Sequence, residues 1–115
     1  MRVIIAGGRE FQDYRLLAQK CDLFFSRKKP TAILCGGARG ADELGKRYGE
    51  EHGIPITMYP AKWGKYGKRA GMVRNREMLQ DADALVAFWD GQSHGTGNMI
   101  EIAKQKGIPI RIVRY

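Results

Sequence analysis

Apolar runs that admit no polar face alternate with amphipathic stretches along the whole chain. Val3–Ala6 is a short, wholly apolar run that stops at Gly7 and Gly8. From Asp13 to Lys28 the apolar positions Leu17, Cys21, Phe24 and Phe25 recur at helical spacing, with Asp13 placed to cap the start. Thr31–Cys35 is a second apolar run ending in two glycines. Ala41–His52 predicts a helix with Ala41, Leu44 and Tyr48 on one face, closed by Gly53, and Ile56–Tyr59 a third strand. A long connection, Pro60–Ala70, precedes a short helix over Met72–Leu79 in which Met72, Met78 and Leu79 face the core. A strand at Ala84–Trp89, a glycine-rich loop at Asp90–Gly97, a helix to Lys106 and a strand at Pro109–Val113 complete the pattern. Gly53-Ile54-Pro55-Ile56 and Gly107-Ile108-Pro109-Ile110 are one junction used twice: glycine ends a helix and proline forbids its continuation.

Fully apolar strands separated by amphipathic helices imply a parallel sheet covered on both faces. The expectation is an α/β, three-layer, Rossmann-like fold over residues 1–115 as a single domain, with five parallel strands in the order 3-2-1-4-5. Right-handed crossovers place every strand-to-helix loop on one edge, and the reversal of strand order falls between the first and fourth strands. That brings the loops at Gly7, Gly36 and Asp90 to one crevice.

Composition narrows the setting. The formal net charge is +8, which favours anionic partners: phosphates, nucleotides or nucleic acid. No apolar run approaches the roughly 18 residues of a membrane span, and the first residues read as a buried strand rather than a signal peptide. Cys21 and Cys35 lack metal-ligand spacing and are expected to be core thiols. A reducing, cytoplasmic location with no metal and no cofactor is the corresponding expectation.

The candidate chemistry lies in the loops. In Gly36-Gly37-Ala38-Arg39-Gly40-Ala41-Asp42, glycines allow close backbone approach to an anion, the following helix offers free N–H groups, and Arg39 adds a bidentate donor. Asp42 falls in the first helical turn, where it caps the helix or meets a ribose hydroxyl. Gly7, Gly8 and Arg9 follow the first strand into the same crevice. Ser93, Gly95 and Thr96, after Asp90, form a second phosphate cradle, and His94 is a candidate acid or base. Each of these loops has an ordinary alternative as a tight turn or a helix cap. Arg74 and Arg76 are two apart, so on a helix only one faces the crevice. The stretch Lys62–Arg69 interleaves cations with Trp63 and Tyr66, which suits either a lid that stacks a base or an exposed basic loop.

Ala6–Phe11, Gly36–Asp42, Ala70-Gly71 with Arg74-Asn75 and Met78-Leu79, and Asp90-Gly91 with Ser93 and Gly95-Thr96 together resemble the SLOG superfamily, in its small stand-alone YspA/YpsA-related branch. The resemblance spans nearly the whole chain. It implies a Rossmann-like sheet binding nucleotides or their derivatives, with Gly7, Gly8, Arg9, Gly36, Gly37, Arg39, Gly40, Asp42, Arg74, Asn75, Ser93, Gly95 and Thr96 as the ligand-binding set. The superfamily includes the Lonely Guy phosphoribohydrolases and the DprA/Smf DNA-binding proteins. Arg74-Asn75-Arg76-Glu77-Met78 is similar to the Arg-Lys-x-x-Met motif of the former. Where their second motif requires a catalytic glutamate this chain has Met99, and Glu101 stands two residues too late.

Three functions fit these features. The first is a domain that binds, or senses, a nucleotide-derived phosphate ligand. The second is an N-glycosidic hydrolase acting on nucleoside monophosphates, with Arg74 on the phosphate and Asp42, Asp90 or Glu10 as the carboxylate that stabilises positive charge on the ribose. The third is single-stranded nucleic-acid binding through the basic loop. Self-association among related enzymes makes a homodimer a further expectation of the resemblance.

Overall fold

The structure, a computed structural model, describes residues 1–115. Its strands are β1 (Arg2–Gly7), β2 (Ala32–Cys35), β3 (Ile56–Met58), β4 (Ala84–Trp89) and β5 (Ile110–Arg114). The helices are α1 (Tyr14–Phe24), α2 (Ala41–Glu51), α3 (Trp63–Tyr66), α4 (Ala70–Asp81) and α5 (His94–Lys106). All strand pairs are parallel and the order is β3-β2-β1-β4-β5, as the alternation predicts.

β1 is the central strand, and its side chains divide between two cores. Val3 and Ile5 meet Leu17, Cys21 and Tyr48 from α1 and α2. Ile4 and Ala6 meet Met78, Leu79, Met99 and Ile100 from α4 and α5 on the other face. Two buried faces explain why the inner strands β1 and β4 carry continuous apolar runs, whereas the edge strand β5 carries Arg111 and Arg114. Each fully buried aliphatic side chain contributes roughly 1.5–3 kcal/mol. Cys21 and Cys35 are free and buried in the first of these cores, and burial pushes both thiols up to about 12.

Helix α2 sits unusually near the sheet. A Cβ on Gly45 would come within 2.8 Å of Ile5 Cγ2, and one on Gly49 within 3.1 Å of Ile33 Cδ1. The repeated junction folds as expected: α2 ends before Gly53 and α5 before Gly107, both with positive φ.

Some boundaries differ from the periodicity. Asp13 does cap α1, accepting from the Leu16 N–H at 3.0 Å, but the helix stops at Phe24 instead of Lys28. Nothing beyond Phe25 packs on the sheet until Pro30 is buried, and proline disfavours helix before it. The Pro60–Ala70 connection is not irregular throughout. It forms α3 and a 3₁₀ turn (Gly67–Arg69) that runs straight into α4, so α4 starts two residues before Met72. Met72 consequently faces away from the core and is 49% exposed. No helix is long and apolar enough to cross a membrane.

Candidate functional site

An open crevice of about 680 Å³ runs along the carboxyl edge of the sheet, within the range of small-molecule sites. It spans the point where the strand order reverses, between β1 and β4. Gly7, Gly8, Arg9, Asp42, Arg74, Asn75, Asp90, Ser93, Gly95 and Thr96 all line it, as do Glu10 and His94. The three loops therefore converge as the topology requires.

Arg74 is fixed before any ligand arrives. Its Nη1 donates to the Gly36 carbonyl at 2.5 Å and its Nε to Asn75 Oδ1 at 3.0 Å. Gly36 is required at its position because a Cβ there would lie 2.5 Å from Nη1 and 2.8 Å from Asp42 Oδ2. No protein acceptor engages Nη2. Arg76, on another side of α4, is exposed. A planar donor anchored on two sides loses little freedom when it takes up a phosphate.

Asp42 is 8% exposed, and its Oδ2 accepts the Ala38 N–H at 3.3 Å. Burial pushes its carboxyl up to about 6, against the opposing pull of the Arg74 guanidinium, the N–H groups of Ala38 and Gly36, and Arg9. It is the buried ionisable group of the crevice.

The two candidate helix N-termini differ in what they leave free. At α2 the Ala41 N–H already donates to the Gly8 carbonyl at 3.3 Å, and Asp42 and Glu43 place carboxylates in the first turn. Arg39 points outward, with Nη2 3.6 Å from Glu10 Oε1 and both side chains largely in solvent. Gly36, Gly37, Arg39 and Gly40 lie outside the crevice lining. Of these glycines, Gly40 brings the β2 loop against the Gly8 and Arg9 carbonyls of the β1 loop, while Gly36 lies against the Arg74 and Asp42 side chains. At α5 there is no acidic residue in the first turn and no side-chain cap from Ser93. Asp90 Oδ1 accepts the N–H groups of Gln92 and Ser93, each at 2.8 Å, which holds its carboxyl below the usual range and shapes the loop leading to that helix. The α5 N-terminus is therefore the less occupied of the two, with Thr96 5% exposed beside it.

Two lining residues, Tyr115 and Asn98, escape the sequence reading. Tyr115 directly follows β5 and so emerges on the same rim. Its ring packs 4.8 Å from that of Phe11, and a Cβ on Gly8 would meet its hydroxyl. The signal was available, because any residue just past the carboxyl end of a strand lies on that edge. Asn98 lines the crevice one turn into α5, and its Oδ1 is buried without a partner. Met99, 3% exposed, places an apolar thioether in the wall where the resemblance to the phosphoribohydrolases calls for glutamate, and Glu101 is exposed outside the crevice.

Sheet and crevice define a Rossmann-like α/β protein with a polar, partly cationic cleft at the reversal of strand order. A family model described as the YspA, cpYpsA-related SLOG family matches residues 1–66, which include the Gly7–Gly8 and Gly36–Asp42 loops. The Gene 61 protein of Mycobacterium phage D29 is 34% identical over 116 residues, covering 95% of this chain and 93% of that protein. The chain belongs to the YspA, cpYpsA-related SLOG family. No solved structure matches it significantly.

Proposed function

We propose that the crevice binds a nucleotide or nucleotide-derived ligand through its phosphate, and that the protein acts as a binding or sensing domain for that ligand. The observation that carries this reading is the pairing of a prefixed guanidinium, Arg74, with an uncapped helix N-terminus, that of α5, in the wall of one crevice. Either alone is common; together they supply charge and oriented N–H donors to one anion. Calorimetric titration with a panel of nucleoside monophosphates is the test. Arg74→Ala is expected to weaken binding by about 1.5–3 kcal/mol, on the order of 10- to 150-fold. Arg74→Lys restores little, because an ammonium cannot bond Gly36, Asn75 and a phosphate in one plane. Unaltered affinity in a folded Arg74→Ala variant removes the proposal.

A second reading, hydrolysis of the N-glycosidic bond of a nucleoside monophosphate, is favoured by Asp42. A buried carboxyl displaced toward neutrality beside an arginine is the kind of group that exchanges a proton or faces a developing cation. It occupies a different place from the glutamate of the phosphoribohydrolases, whose counterpart here is Met99. Asp90 is less suited, since its Oδ1 is committed to its own loop. Release of free base from the same panel at high protein concentration supports hydrolysis, and its absence leaves the binding reading alone.

A further inference from the structure

We propose that Trp63 and Met72 form a ledge on which the ligand's aromatic base stacks, so that the crevice selects base-bearing nucleotides over sugar phosphates. The inference rests on the phosphate reading above and adds the recognition of the other end of the ligand.

Six large hydrophobic side chains are exposed: Leu23, Met58 and Ile112 lie away from the crevice, and Tyr115 lines it with its ring packed against Phe11. Trp63, 55% exposed, and Met72, 49% exposed, instead come from consecutive helices and both line it. The Trp63 ring reaches over Gly71, where a Cβ would meet Cη2 at 3.9 Å, and Gly71 also belongs to the lining. Indole, glycine backbone and thioether thus all line the crevice that holds Arg74, the indole lying over the residue that precedes Met72. Lys68, from the 3₁₀ turn that joins α3 to α4, lines the same crevice.

Scattered exposed apolar residues need no explanation, but an exposed tryptophan and methionine lining one polar cleft leave a surface that a planar group would cover. A base presents such a face whatever its hydrogen-bonding edge, whereas a ribose phosphate has none. The other tryptophan, Trp89, is differently placed: its Nε1 donates to the Ser93 carbonyl at 3.0 Å and the Arg114 guanidinium lies 5.6 Å from its ring.

The experiment titrates the full chain with AMP, CMP, ribose 5-phosphate and inorganic phosphate, by calorimetry and by tryptophan emission. AMP is expected to bind on the order of 10- to 100-fold more tightly than ribose 5-phosphate, with CMP between them, which is the range of one base–aromatic stack. Trp63→Ala should erase that preference while leaving the ribose 5-phosphate affinity as it is, and Trp63→Phe should keep most of it. AMP should quench emission in the unaltered protein and not in Trp63→Phe, which retains Trp89. Equal affinities for AMP and ribose 5-phosphate, or a preference for AMP that survives in Trp63→Ala, overturn the ledge and leave phosphate binding standing. If none of the four ligands binds, the ledge falls together with the phosphate reading.

Discussion

Gly40→Ala is expected to unfold roughly 10–20 °C below the unaltered chain, a large loss of stability for a single methyl group. Gly40 is the N-cap of α2 with φ 85° and ψ −130°, a conformation that side chains disfavour by about 1–3 kcal/mol. Its Cβ would overlap the Gly8 carbonyl oxygen and lie 2.6 Å from that of Arg9. These are backbone atoms, and the Gly8 carbonyl is held by the N–H groups of Phe11 and Ala41 at 3.2 and 3.3 Å. They yield less readily than the end of a side chain, which adds a further cost of about 1–3 kcal/mol. The sum is about 2–6 kcal/mol, read from thermal or urea denaturation. Gly64→Ala is the control, since nothing lies within 4 Å of its Cβ position and its φ is not positive. A Gly40→Ala midpoint within 3 °C of the unaltered protein would refute the view that this glycine joins the two loops.

Asp42→Asn should stabilise the protein at neutral pH. The carboxyl titrates near 6 when folded, against an ordinary value of 3.8. The folded state therefore holds the proton more tightly than the unfolded chain. Well below pH 4, at about pH 3 and under, both states are protonated and the group contributes nothing. As pH rises from about 4 to about 6 only the unfolded chain ionises, so stability falls, and above 6 the full penalty of about 3 kcal/mol is present. Asparagine keeps an oxygen to accept from the Ala38 N–H and carries no charge to desolvate. Denaturation of the two proteins across this range should give curves that converge at about pH 3 and separate by up to about 3 kcal/mol at about pH 7.5. Parallel curves would show that burial does not displace Asp42. A carboxylate kept where it weakens the fold is the kind of group that function retains.

The topology was legible because it follows from few rules. Five short, mainly apolar runs with helical stripes between them leave little choice beyond a doubly covered parallel sheet, and right-handed crossovers then fix which edge carries the loops. Asp13 and the two Gly–Pro junctions were equally readable, because caps and breakers act within a few residues. The α3 segment was not, since a four-residue helix has no periodicity to detect. Met72 was misplaced with it: once α4 begins at Ala70, Met72 turns toward the cleft.

The site shows the same division. Arg74, Asp42 and the α5 loop could be named from their types and positions alone. Their ranking could not. Gly36–Gly40 looks like the better anion cradle, with three glycines and an arginine, yet its glycines serve approaches within the protein and Arg39 turns to Glu10.

The sequence by itself determined the sheet, its strand order and the rim on which chemistry can occur, because local propensity and hydrophobic period act over short stretches and their outcome is handed and discrete. Only the tertiary structure decided that the first N–H of α2 is taken by the Gly8 carbonyl. That depends on whether a carbonyl from β1's loop, more than thirty residues away along the chain, reaches one helix start before a ligand can, and no period or composition records such a distance.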